Sequence, residues 1–170
     1  MDFLELSKTR YSVRSFEEKP IEEWKIEKVL EAGRAAPTAR NLQPYFIYEI
    51  KSAAAIETIR GITRYAFNAP EILLVCGKPA DGWVNTFNGR NSTEMDCSIV
   101  ATHMMLQAVE LGLGTTWVCY FDTEKVKLEF DLPDGLEPYC LLPIGYATKE
   151  SEPSSNHVKR KSKYETAAEL

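Results

Sequence analysis

Arg10, Ser12 and Arg14 alternate along one short stretch of this 170-residue chain. If the stretch is extended, alternate residues project to the same side, and two forked guanidiniums then flank a hydroxyl. That set suits a phosphate dianion. A second basic group, Lys159-Arg160-Lys161, lies near the other end of the sequence. Either group alone reads equally well as a solvated charge run. A third segment, 36–45, sets Thr38, Asn41 and Gln43 between Pro37 and Pro44. Prolines stiffen the backbone, so this loop can hold amide groups against the polar edge of a heterocycle. It can equally be a plain helix-to-strand connection.

Side chains for acid–base or metal work are sparse. There are two histidines, His103 and His157. His103 falls inside an apolar helical segment, where a hydrogen-bonded core histidine is expected, and His157 falls in a polar tail. Cys76, Cys97, Cys119 and Cys140 make no C-x-x-C pair, so they read as small buried hydrophobes. No G-x-x-x-x-G-K-[ST] phosphate loop, G-x-S-x-G or H-E-x-x-H occurs, and Gly112-Leu113-Gly114 ends a helix instead of opening one. This pattern points towards chemistry carried by an organic cofactor. No side chain is singled out as catalytic and no metal is expected.

The elements that must position these residues follow from periodicity and punctuation. Asp2 and Glu5 form a capping-box pattern for a first helix ending near residues 9–10. Residues 11–16 alternate and read as extended. Pro20 is expected to open a second helix, with Ile26, Val29, Leu30 and Gly33 on one face, which stops before Pro37. Strands are expected at 45–50, 71–77, 115–121 and 139–147, with helices at 52–65 and 122–130. Residues 78–94 read as a loop. Asp96 is expected to cap a helix over 97–111 whose apolar residues cover well over half its circumference, so burial on most sides is predicted. Between 148 and 163 the only aliphatic side chain is Val158. That stretch cannot build core and is expected either as a disordered tail or as an arm with another use.

Composition sets the class. Apolar residues make up 44% and charged residues 26%, an ordinary globular profile for one domain. The net charge is 20 − 25 = −5, which disfavours general nucleic-acid binding. No apolar run approaches the roughly 20 residues a membrane-spanning helix needs, and no signal peptide is read, so no membrane partner and a cytoplasmic location are expected. Helices and strands at irregular intervals indicate α+β: a mixed, mostly antiparallel sheet flanked by helices, with a buried central helix.

Five segments in order resemble the FMN-dependent nitroreductase family. Arg10-Tyr11-Ser12-Val13-Arg14-Ser15-Phe16 looks like its R-x-S-x-R-x-F motif. Residues 36–45 look like its A-P-S-x-x-N-x-Q-P-W motif, with Thr38 for Ser and Tyr45 for Trp. Gly112-Leu113-Gly114-Thr115-Thr116-Trp117, then Leu142-Pro143-Ile144-Gly145-Tyr146, then Arg160-Lys161 match the remaining three.

The resemblance implies a nitroreductase-like fold assembled as an intertwined homodimer with FMN at the interface. Residues 1–147 would form the FMN-binding core, and 148–170 an arm that adds phosphate contacts and dimer packing. Arg10, Ser12 and Arg14 would grip the phosphate, ribityl chain and pyrimidine edge, and Tyr11 would add a main-chain contact. Arg160 and Lys161 would close on the phosphate. Pro37, Thr38, Asn41 and Gln43 would reach the flavin of the partner subunit. Trp117, Val118 and Cys119 would lie along the isoalloxazine, with a main-chain N–H near Cys119 directed at N5. NADH or NADPH would reduce FMN and leave. A small electron-poor acceptor such as a nitroaromatic, quinone or enone would then take the hydride, a ping-pong scheme. The same motifs would also serve a flavin storage or sensing module, or a relative specialised in reductive dehalogenation or flavin breakdown. Trp83, Phe87 and Arg90 in the short 78–95 segment would line the substrate side or pack on the surface.

Overall fold

The computed structural model describes residues 2–170. In chain order the elements are α1 (Phe3–Thr9), α2 (Glu23–Arg34), β1 (Tyr45–Ile50), α3 (Ala53–Ile62), β2 (Glu71–Gly77), α4 (Thr93–Glu110), β3 (Gly114–Thr115), α5 (Thr123–Glu129), β4 (Glu137–Gly145) and α6 (Lys163–Thr166). The four strands form one antiparallel sheet in the order β1-β2-β4-β3. The expected α+β class holds.

Strand β2 is apolar almost throughout because both faces of the sheet are covered. Leu73 and Val75 face one cluster with Cys140, Leu142 and Ile144 of β4, packed against Ile26 and Val29 of α2 and Val100 and Met104 of α4. Ile72, Leu74 and Cys76 face the other with Leu141, packed against Ile56 and Ile59 of α3 and Val126 of α5. The two-residue period of the strands thus splits the core into two layers. Helices α2 and α4 approach closely because Gly33 carries no side chain there: a Cβ at that position would lie 2.8 Å from Met104 Cγ.

Several boundaries differ from expectation. Pro20 does not open α2, which begins three residues later behind Glu22. Helix α3 stops at Ile62, because Thr63 turns extended and caps a 3-10 turn at Arg64–Ala66. Helix α4 starts at Thr93 instead of residue 97, so Asp96 lies inside its first turn and is not its cap. The strand expected at 115–121 is reduced to Gly114–Thr115 plus one bridge between Val118 and Leu141.

Helix α4 is buried along one face and not around most of its circumference. Its buried residues are Thr93, Asp96, Cys97, Val100, Ala101, Met104 and Ala108. The opposite stripe of Met95, Ile99, Leu106 and Val109 is only partly covered, with Met95 49% exposed. His103 lies on that open side and is exposed, so it is not a core histidine. Lys25 ties down the far end of the helix: its Nζ donates to Leu111 O (3.0 Å) and to the Tyr146 hydroxyl (2.9 Å), and that hydroxyl donates to Glu22. A cation at the carbonyl end of a helix is favourably placed.

The coreless tail is laid back along the start of the chain. Thr148 N donates to Ser15 O (3.1 Å), Tyr11 Oη donates to Ser151 O (3.1 Å), and His157 Nε2 lies 3.0 Å from Lys8 O. The disorder suggested by composition gives way to an arm held mainly through backbone carbonyls, which its polar side chains do not reveal. Among the described residues, no helix is long and apolar enough to cross a membrane.

Candidate functional site

Residues 10–16 run extended from the end of α1. Val13 N donates to Thr115 O (3.0 Å), the Thr116 hydroxyl donates to Val13 O, and Ser12 bridges Thr115 in parallel. Val13 and Phe16 are buried with Ala69, and Tyr11 packs against them. Alternation holds around Val13, and Arg10, Ser12 and Arg14 are partly or fully exposed, but it breaks at Phe16, which is buried with Val13. Gly114 permits the close approach: a Cβ there would lie 2.9 Å from Val13 Cβ. This lattice fixes the stretch directly beside Thr115 and Thr116, and so beside Trp117.

The two chain ends lie against each other where His157 reaches Lys8 O (3.0 Å). Burial first, and then the positive charge of Arg160, push the Arg10 guanidinium below its ordinary pKa. Arg160 is folded onto its own segment, donating to His157 O and to Lys159 O (2.8 Å). His157 also meets Tyr11 edge-on, with ring centroids 6.4 Å apart. Arg14 Nη1 donates to Ser12 O (3.2 Å), and Arg10 Nη1 lies 3.9 Å from Met105 Sδ. Among the described residues, none of these three arginines makes an ion pair with a carboxylate. Lys161 is exposed beside Arg160, and Lys159 instead donates to Asn156 Oδ1 (2.9 Å).

On the neighbouring segment, Val118 exchanges both backbone bonds with Leu141 (2.9 Å each) and its side chain is buried. Among the described residues, this pairing does not continue to Cys119, which is exposed. Trp117 Nε1 donates to Cys119 Sγ (3.0 Å). Beside Ser12, the buried Thr115 hydroxyl has no hydrogen-bond partner among the described residues.

The loop at 37–43 stands apart. Gln43 N donates to Thr38 Oγ1 (3.0 Å), and Gln43 Nε2 donates to Asn41 O (3.2 Å). Arg40, Asn41 and Gln43 all have positive φ, of 53°, 57° and 52°, a conformation non-glycine residues adopt at a cost. Pro37, Asn41 and Gln43 are exposed. The loop is fastened by Asp96, a carboxylate only 2% exposed, which accepts from Ala39 N and from Ser92 Oγ (both 2.8 Å). Asp96 lies in the first turn of α4, whereas Arg10 meets Met105 nine residues further along. At 1.5 Å per residue that is a separation of roughly 14 Å along the helix. One chain therefore sets residues 10–14 along Thr115 and Thr116, with Arg160 near enough to act on Arg10, and it holds the loop of Pro37, Thr38, Asn41 and Gln43 at the other end of α4.

Comparison with known proteins follows the same lines. The nitroreductase family matches residues 8–72 and 63–146. The chain belongs to the nitroreductase family. A nitroreductase family protein from Clostridium difficile 630, whose crystal structure is known, is 41% identical, with 99% of this chain and 98% of that one covered and a TM-score of 0.92. A protein of Methanothermobacter thermautotrophicus described as a candidate NADH dehydrogenase/NAD(P)H nitroreductase is 29% identical over 153 residues, 86% of this chain and 78% of its own. An FMN-dependent nitroreductase from Clostridium difficile R20291 shares the fold at 22% identity, with a TM-score of 0.75 and 98% of each chain covered. The nitroreductase family thus embraces all of the segments that carry the resemblance up to Tyr146, while the arm with Arg160 lies beyond the matched residues.

Residues outside the expected set also gather here. Asp96 reads in sequence only as a helix cap and Thr115 only as part of a motif, and Met105 gives no signal, because their contacts are with distant partners. Arg60 and Arg64 did offer one, a four-residue spacing beside an aromatic run, and they lie next to Arg14 around a cavity.

Proposed function

We propose that this nitroreductase family member is an FMN-dependent NAD(P)H oxidoreductase that reduces a small electron-poor acceptor. The observation that supports the reading is that Ser12 pairs with Thr115 between Arg10 and Arg14, with Arg160 acting on Arg10, and that among the described residues none of these arginines makes an ion pair with a carboxylate. Like charges held together repel, and a phosphate dianion offsets them. This donor set and the orphaned Thr115 hydroxyl fit the phosphate end of FMN. The FMN and NAD(P)H named for relatives agree with it.

Bound FMN would supply two-electron chemistry that these side chains lack. Arg10 and Arg160, with Lys161, would hold the phosphate. Ser12 would add a hydroxyl, and Tyr11 a main-chain contact. Arg14 would keep positive charge beside the pyrimidine edge, where electron density collects on reduction. Trp117, Val118 and Cys119 would flank the ring system, with the N–H of Cys119 as the available donor. Donor and acceptor would take turns in one space, giving ping-pong kinetics.

The remaining contacts come from a second copy. Pairing two α4 helices antiparallel through their open stripes brings the Thr38–Gln43 loop of one chain towards the Arg10 end of the other. It also covers Met95 and Leu106. Each chain then carries half of two sites, and the arm over 148–170 belongs to the assembly as well as to the phosphate.

The test is the visible spectrum of the purified protein, followed by anaerobic NADH or NADPH. Yellow protein that bleaches rapidly is expected, and Arg14→Glu should weaken flavin binding roughly ten- to a hundredfold, about 1.4–2.8 kcal/mol. A protein that cannot be loaded with FMN would refute the reading, and flavin that binds but stays oxidised would mark a storage module.

A further inference from the structure

His103 has no part in the flavin reading, yet it borders the open stripe of α4 that a second copy would cover. Its side chain is exposed, and among the described residues it makes no ion pair. At 3.6 residues per turn, Met95, Ile99, Thr102, Leu106 and Val109 fall within about 80° of arc, and His103 flanks them on the side of Ile99. The register of the stripe decides what His103 would meet. Antiparallel pairing sets Met95 opposite Val109 of the partner subunit and Ile99 opposite Leu106 of the partner subunit. Both pairs are centred on Thr102 and His103, so the two-fold axis passes there. That axis keeps each flank of the helix on its own side, and His103 therefore faces His103 of the partner subunit. The two are offset along the helices by only about 2 Å, between axes that in packed helices lie roughly 8–10 Å apart.

No countercharge is at hand for this pair. On α4 itself, Glu94 and Glu110 lie about 13 and 10 Å away along the axis, and Glu110 accepts from Gln107 Nε2 (2.7 Å). Asp96 is buried and already bonded to Ala39 N and Ser92 Oγ. On α2, Glu31 pairs with Arg34, Glu23 with Lys51, and Glu22 accepts from Tyr146. Lys25 is bonded to Leu111 O at the far end of α4, and Glu27 and Lys28 follow it there, with Lys28 over the Trp24 ring (5.3 Å). Glu5 caps its own helix α1, next to Lys8, and the chain beyond α1 meets α4 through Arg10 and Met105, on the flank opposite His103. The strands lie under the buried face of α4.

We infer that the His103 pair makes the assembly pH-sensitive: protonation in mild acid opens the dimer and releases flavin. The inference rests on the second-copy reading above. Histidine changes charge between about pH 5 and 8. When neutral, one imidazole can donate a hydrogen bond to the other; when charged, both are donors only. Two cations facing each other within an apolar stripe repel and lose hydration. The dimer therefore binds fewer protons than the separate chains, and acid favours the chains. Each chain alone keeps the phosphate donors but loses the partner's 37–43 loop.

The test is sedimentation equilibrium of the protein as purified at about pH 7.5 and about pH 5.5, with His103→Asn alongside. Asparagine keeps a polar group there and does not titrate. The dimer dissociation constant of the parent should rise about tenfold or more on acidification, within the ceiling of roughly a hundredfold per pH unit that two protons allow. Bound flavin should fall with it, and His103→Asn should hold its dimer at both pH values. Equal dissociation constants in the parent at both, or acid weakening that persists in His103→Asn, overturns the inference while leaving the dimer intact. Chains that are monomeric at both overturn the second-copy reading and this one with it. If His103→Asn fails to fold, the imidazole resonances of the parent decide, with His157, the other of the two histidines, as internal reference. The titration midpoint of His103 must then be lower in concentrated than in dilute protein, and a midpoint independent of concentration overturns the inference.

Discussion

Arg10 and Arg160 are separated by most of the chain, yet Arg10 lies within the field of Arg160, and among the described residues neither makes an ion pair with a carboxylate. Keeping two such groups close, with Arg10 partly buried, works against folding unless an anion joins them. At the same scale, the cysteines divide by solvent. Cys76, Cys97 and Cys140 are buried and Cys119 is exposed, all as free thiols. Burial pushes Cys76 and Cys97 up to about 12, so they hold no thiolate at neutral pH. A thiol-reactive chromophore should therefore modify one residue per native chain, Cys119, and all of the cysteines after unfolding; fast labelling of more than one in the native protein would contradict the packing. Prior loading with flavin should slow labelling of Cys119 if residues 117–119 flank the ring.

At the scale of elements, the site depends on two small devices. Gly114 lets residues 10–14 lie against β3, with Val13 filling the space a side chain would take. Gly114→Ala should cost about 1–3 kcal/mol, as overpacking does, read from urea unfolding. It should also lower flavin content, because the displaced segment carries Arg10, Ser12 and Arg14. Asp96 is the second device. Replacing it with Ala leaves Ala39 N–H and Ser92 Oγ without their acceptor, a loss of about 2–4 kcal/mol. Asp96→Asn keeps one acceptor oxygen and should lose less. Both effects reach the 37–43 loop, whose positive φ angles need that anchor.

At the scale of the molecule, the division of the proposed binding residues between the two ends of α4 makes assembly the central question. The stripe of Met95, Ile99, Leu106 and Val109, at spacings of four, seven and three residues, follows one incompletely covered helix face. Leu106→Glu places a charge on that stripe. Sedimentation should then report monomers where the parent sediments as a dimer, and bound flavin should fall together with the dimer. A monomeric variant that retains full flavin would separate the two halves of the proposal.

Periodicity and punctuation alone set the element types over most of the chain. Strands β1 and β2 fall on the expected residues, and the capping box of Asp2 and Glu5 is present. The basic and amide-bearing motifs were likewise visible as chemistry, because residue type and alternation are local properties. What sequence left open was decided by contacts between distant residues. The tail is tied to Lys8 O and Ser15 O near the start of the chain, Asp96 bonds a loop 57 residues away, and the strand after β3 shortens to a single bridge. None of these follows from propensity, since each depends on where a second, unrelated segment has packed.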